Sequence, residues 1–122
     1  MYEVTVKKSF EATHALRNYR GGEEAPHAHR FTCEVQIASM VLDAAGCAVD
    51  FCEVDAALER ALGPLAGASI NAAEPFARVS PSAENIARHL YREMARALAT
   101  GTRRVARVTV WEDAEHSASY SE

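Results

Sequence analysis

The chain has 122 residues, 48% of them hydrophobic and 25% charged, and a formal net charge of -4 at pH 7. That length supports one domain, residues 1–122, built around a single core. The mild acidity gives no electrostatic case for nucleic acid or an anionic membrane surface, no apolar run is long enough to span a bilayer, and the opening Met-Tyr-Glu-Val-Thr-Val does not read as a signal peptide.

Residues 2–14 alternate as a strand, with Tyr2, Val4, Val6, Lys8, Phe10, Ala12 and His14 on one face. Residues 17–26 contain two Gly, two Glu and a Pro and form a loop. A long strand resumes over 29–42, Asp43-Ala-Ala-Gly46 makes a turn, and 47–51 return as a short strand that closes a second hairpin. From about Cys52 to Leu62 the period becomes helical, with Val54, Leu58, Ala61 and Leu62 on one side and Gly63-Pro64 as the stop. Residues 65–79 are irregular. Ser80 is placed as an N-cap and Pro81 as the first residue of a second helix. That helix carries a stripe of Ala83, Ile86, Ala87, Leu90, Met94, Ala97 and Leu98, and Thr100-Gly101 ends it. Residues 104–111 are again a strand, and a last short strand falls near Tyr120. The order β-β-β-α-α-β describes an α+β domain with two helices on one face of an antiparallel four-stranded sheet.

The chemistry concentrates between His14 and His29. His27 and His29 are two apart at the head of one strand, so they share a face. If that strand pairs antiparallel with 2–14, His14 lies beside them and three imidazoles converge. Three neutral nitrogens that leave a fourth position open are the donor set of a catalytic zinc-class site. No Cys completes a closed four-ligand site, although Glu23 or Glu24 can reach in from the loop. The three cysteines, Cys33, Cys47 and Cys52, are odd in number and lack metal-type spacing, which indicates reduced thiols and a cytoplasmic setting.

Other residues carry two readings each. Glu112 has the parity of Val108 and Val110: it is either a solvated strand-end carboxylate or an anchor for a ligand with two adjacent N–H groups. Glu23 and Glu24 are either loop charges or proton shuttles beside a metal-bound substrate. His116, in a polar tail, either faces solvent or folds back into the site. His89 reads as surface, and Cys33, which shares a face with His29, as a core residue.

Five segments taken together resemble a known family: Phe10-Glu-Ala-Thr-His14, Pro26-His-Ala-His29, Val49-Asp-Phe51, Pro81-Ser-Ala-Glu-Asn-Ile-Ala87 and Val108-Thr-Val-Trp-Glu112. In this order and spacing they are similar to the 6-pyruvoyl-tetrahydropterin synthase and 6-carboxytetrahydropterin synthase family, over nearly the whole chain. The resemblance implies a tunnelling fold whose subunits join edge to edge into a trimeric β-barrel, often stacked as a hexamer, with sites between subunits. It implies Zn2+ on His14, His27 and His29, a pterin ring held by Glu112, and Ser82 near the pterin pocket where the family usually has Thr. It also implies lyase-type chemistry on the side chain of 7,8-dihydroneopterin triphosphate, serving folate, biopterin or queuosine-type modified-nucleoside synthesis.

Three departures qualify this. The usual His-Gly-His is His27-Ala28-His29. Glu23 and Glu24 stand near the place of the usual catalytic Cys, as in a branch that cleaves the side chain to 6-hydroxymethyl-7,8-dihydropterin. The usual Asp-His pair falls at Ala66-Gly67 and is absent. Three outcomes follow: an enzyme with altered acid–base residues, in which Glu23, Glu24 or His116 moves protons; a zinc- and pterin-binding paralogue without turnover; or a metal-stabilised oligomer whose ligand is no longer a pterin, against which the retained Glu112 argues.

Overall fold

The structure is a computed structural model that describes residues 1–122. The chain runs through β1 (Tyr2–His14), β2 (His27–Ser39), α1 (Phe51–Leu62), a 3-10 turn (Ile70–Ala72), α2 (Ala83–Leu98), β3 (Arg103–Trp111) and β4 (Ser117–Tyr120). The four strands form one sheet in the order β1-β2-β3-β4, antiparallel throughout. Both helices pack on one face, so the α+β architecture expected from the sequence is the one observed.

The alternation in β1 and β2 decides which face is covered. Phe10, Ala12 and His14 are buried, as are Phe31, Cys33, Val35 and Ile37, because their parity turns them toward the helices. Opposite them α2 contributes Ile86, Ala87, Leu90, Tyr91, Met94 and Leu98, and α1 contributes Val54, Ala57, Leu58 and Leu62. In α2 one member of the expected stripe, Ala97, is exposed, while Tyr91, outside that stripe, enters the core and its hydroxyl donates to the Val105 carbonyl at 3.1 Å. A buried phenol needs such an acceptor, and β3 supplies it.

The expected strand at 47–51 is not formed. Residues 43–47 close a turn in which the Asp43 carboxylate accepts from the N–H groups of Ala45 and Cys47, and the Asp43 N–H donates to the Cys47 carbonyl. Asp50 then caps α1 by accepting from the Cys52 N–H, so the helix starts at Phe51. β2 has β1 on one edge and β3 on the other, which leaves a returning hairpin strand no edge to join. The fourth strand is instead Ser117–Tyr120 at the C-terminus.

A second boundary moves for a reason that bears on the site. Ser82, not Ser80, caps α2, accepting from the Asn85 N–H at 3.1 Å. Ser80 accepts from the Arg17 N–H at 2.9 Å, which ties the loop after β1 to the entry of α2. The same loop is clamped by Asn71, which both accepts from the Ala15 N–H and donates to the Ala15 carbonyl.

Leu90 is fully buried between α2 and the sheet, whereas Arg88, two residues earlier and on the opposite side of the helix, is exposed. Leu90→Ala is expected to lower unfolding free energy by about 2–5 kcal/mol in a urea titration, and Arg88→Ala by no more than about 0.5 kcal/mol. Equal costs would show that the core has been placed on the wrong face of α2.

Candidate metal and ligand site

The register of the β1–β2 hairpin builds the site. Phe10 pairs with Phe31, Ala12 with His29 and His14 with His27, so three imidazoles end the same sheet face that carries the core. Their ring centroids lie 4.6 Å (His14–His27), 4.6 Å (His27–His29) and 5.3 Å (His14–His29) apart, and one ligand nitrogen from each falls within 4.8 Å of the others. His14 is 1% exposed, with Phe31 beneath it. Ala28 lies inside β2 in ordinary strand geometry, so the position asks for no glycine.

The second ring nitrogens fix the tautomers. His14 Nδ1 is 2.7 Å from the Pro81 carbonyl and His27 Nδ1 is 3.2 Å from the Ala25 carbonyl. A carbonyl only accepts, so both Nδ1 atoms carry the proton. Each ring then presents a bare lone pair at Nε2, and these two atoms are 3.0 Å apart. The third, His29 Nε2, is buried without a hydrogen-bond partner. Converging lone pairs repel, and a buried polar atom without a partner is costly. A cation among the three nitrogens removes both penalties, so the donor set fits a metal ion. Burial pushes the His14 pKa down, with His27 and His29 adding to the shift, while its bond to Pro81 and the Glu112 charge oppose it. The ring is therefore neutral at neutral pH, the form that ligates.

Carboxylates flank the triad. Glu24 is held twice by Leu16: its backbone N–H donates to the Leu16 carbonyl at 3.0 Å, and its Oε1 accepts from the Leu16 N–H at 3.1 Å. This leaves Oε1 3.5 Å from His27 Nδ1. Glu23 turns the other way, 63% exposed, toward Arg17 at 3.9 Å. The two glutamates, equivalent in the sequence, are thus separated by the fold. Glu112 follows β3 on the core face, with Oε1 3.8 Å from His14 Nε2.

The remaining candidates are placed as follows. Ser82 spends its hydroxyl on the α2 cap. His116 lies on the β3–β4 turn, exposed, with Nδ1 at 2.8 and 3.0 Å from the Asp113 carboxylate. His89 is half-buried against the Phe76 ring, and its pKa is lowered by burial. Cys33 is a core thiol pushed up to about 12 by burial, which leaves it inert. Sequence reasoning did not weigh Asp113 or the Pro81 carbonyl. The Asp113-x-x-His116 spacing could have suggested the first; nothing local signals the second, which depends on how α2 enters.

A small α+β fold in which three imidazoles end one sheet face, with carboxylates about the cluster, describes a protein whose His14, His27 and His29 could hold a metal ion. The sequence-family model for 6-pyruvoyl tetrahydropterin synthase matches residues 3–122, and the chain belongs to that family. No curated protein sequence matches it. Among solved structures it is similar to 6-pyruvoyl tetrahydropterin synthase from Caenorhabditis elegans, at 16% identity and a TM-score of 0.81 over 100% of this chain and 97% of that one. The Plasmodium vivax enzyme gives 15% identity and 0.79 over 99% and 97%. A variant of the vivax enzyme, described as a catalytic-residue mutant with Glu replaced by Ala, gives 14% and 0.79 over the same shares. These likenesses establish the tunnelling fold. No helix is long and apolar enough to cross a membrane.

His14 and His89 both have lowered pKa values, so each binds protons more readily in the unfolded chain, near the ordinary value of 6.5. Their contribution to stability is complete above that value and is lost as pH falls through the lowered folded values. The urea midpoint of the metal-free protein should therefore drop between pH 7.5 and 5.5, and drop less in a His14→Gln variant. A midpoint flat across that interval would contradict the burial argument.

Proposed function

We propose that the protein is a zinc-dependent enzyme acting on the side chain of 7,8-dihydroneopterin triphosphate, with Glu24 as the proton-transfer group. The observation that carries this reading is Glu24, whose backbone N–H donates to the Leu16 carbonyl and whose carboxylate accepts from the Leu16 N–H, with Oε1 3.5 Å from a ring of the triad. His14, His27 and His29 would hold the zinc. When bound, zinc makes the protons of side-chain hydroxyls easier to remove. Glu24 would take the proton from the 2′-hydroxyl. The C1′–C2′ bond then breaks, C2′ leaves as an aldehyde, and C1′ takes up a proton to give 6-hydroxymethyl-7,8-dihydropterin. Glu112 would accept the paired N–H groups of the pyrimidine edge. The vivax variant supports a glutamate in this role, since a Glu is described there as the catalytic residue. Triphosphate elimination is the other reaction open to the same substrate.

The sheet also favours assembly. β1 is a 13-residue strand whose outer edge is met only near its end, where Thr13 bridges Ser69, and β4 leaves the opposite edge open. Such edges invite pairing with another copy. We propose a homo-oligomer joined edge to edge, and sedimentation should give a trimer or a hexamer; a monomer at micromolar concentration would refute this.

The activity test uses zinc-loaded protein, 7,8-dihydroneopterin triphosphate and identification of the pterin product. The expected product is 6-hydroxymethyl-7,8-dihydropterin. Glu24→Gln should lower kcat by about 10²- to 10⁴-fold, the usual worth of a positioned proton-transfer group, while Glu23→Gln changes it little. Tight pterin binding with no product would replace this reading with the non-catalytic binding paralogue, whose basis is the absence of a Cys in the few residues before His27 and of Asp-His near Ala66-Gly67.

A further inference from the structure

The β3–β4 turn carries a second polar side chain beside Glu112. Val110 pairs with Ala118 and Trp111 with Ser117, and the Glu112 N–H donates to the His116 carbonyl at 2.9 Å. The ladder thus sets Glu112 and His116 opposite one another. Directly opposed residues share a sheet face, with Cβ atoms about 4.5–5.5 Å apart. Both side chains line a cleft of about 220 Å³ whose other wall is the start of α2, at Ala83 and Glu84.

His116 is not a loose surface imidazole. The Asp113 carboxylate accepts from the Glu115 and His116 backbone N–H groups at 2.8 and 2.9 Å, and it holds His116 Nδ1 at 2.8 Å. The Glu115 N–H first and the His116 ring second keep the Asp113 carboxyl below the usual carboxylate range. Paired with this ionised group, the ring in its charged form has one N–H left, at Nε2. The charged groups that line the cleft with it are Glu84 and Glu112, both acceptors.

A 2-amino-4-oxopyrimidine edge presents two N–H donors beside a carbonyl acceptor. A carboxylate alone satisfies only the first two. We propose that His116 is a specificity-determining residue that reads the 4-oxo group of the pterin: its Nε2–H donates to that oxygen while Glu112 accepts from N3–H and the 2-amino group, with Asp113 as the positioning residue. This rests on the pterin reading of the site above. It gives His116 a binding task in place of the proton transfer considered from the sequence. A site built to hydrogen-bond a ligand oxygen rejects an analogue that lacks it, because polar groups are left unpaired.

The test is a fluorescence titration of the zinc-loaded full chain with two probes, pterin and 2,4-diaminopteridine, which carries an amino group in place of the 4-oxo oxygen. Wild type should prefer pterin. His116→Ala should weaken pterin binding by about ten- to a hundredfold, the worth of one charged hydrogen bond, and leave 2,4-diaminopteridine within a few-fold. His116→Gln, which keeps a donor, should retain more pterin affinity than His116→Ala, and Asp113→Asn should fall between wild type and His116→Ala. Equal loss for both probes, or loss for neither, overturns the assignment of His116. Equal affinity of wild type for the two probes overturns it as well while leaving the pterin reading standing. Failure of pterin to bind wild type, with zinc in place, overturns the pterin reading and this inference with it.

Discussion

Two imidazole nitrogens that both lack a proton do not rest 3.0 Å apart without something positive between them. His14 and His27 are held in that relation because each has its proton on the far nitrogen, committed to a carbonyl of Pro81 or Ala25. The third nitrogen, on His29, is buried and unpartnered beside them. The rest of the structure can be understood as the scaffold that enforces this arrangement. Left to themselves the rings would rotate outward and hydrate; here the sheet register, Phe31 below and Pro81 above keep them inward.

That scaffold is distributed over segments far apart in the chain. Pro81 precedes α2, so the His14 tautomer depends on how that helix docks on the sheet. Asn71 holds the residue after His14 by both of its backbone groups, and Ser80 holds the Arg17 N–H. Arg17 in turn donates to the Phe76 carbonyl at 2.8 Å. The Glu24 carboxylate is placed by the same loop through Leu16. Deforming the entry to α2 would therefore disturb the three histidines and the neighbouring carboxylate together. This coupling ties the packing of the core to the chemistry at its rim.

Much of this was legible in the amino-acid order. The two-residue period of β1 and β2 placed the three histidines on one face, and the helical stripe of α2 was correct except at Ala97 and Tyr91. What was not legible depended on partners distant in sequence. Residues 47–51 have strand-like composition, but both edges of β2 are taken, and Asp43 and Asp50 recruit the local N–H groups for a turn and a cap. Ser80 and Ser82 look alike as caps until Arg17 claims one of them. Glu23 and Glu24 are likewise indistinguishable by composition, and only the contact with Leu16 separates the carboxylate beside His27 from the one in solvent. Asp113 went unweighed because its importance comes from a turn geometry that pairs it with His116.

The central claim is that one cation is held by His14, His27 and His29 through Nε2. X-ray absorption at the zinc edge of the metal-loaded protein tests it most directly. The account predicts one zinc per chain with three nitrogen scatterers at about 2.0–2.1 Å and no sulfur in the shell. A sulfur scatterer near about 2.3 Å, or a spectrum unchanged when His14, His27 and His29 are all replaced, would contradict it.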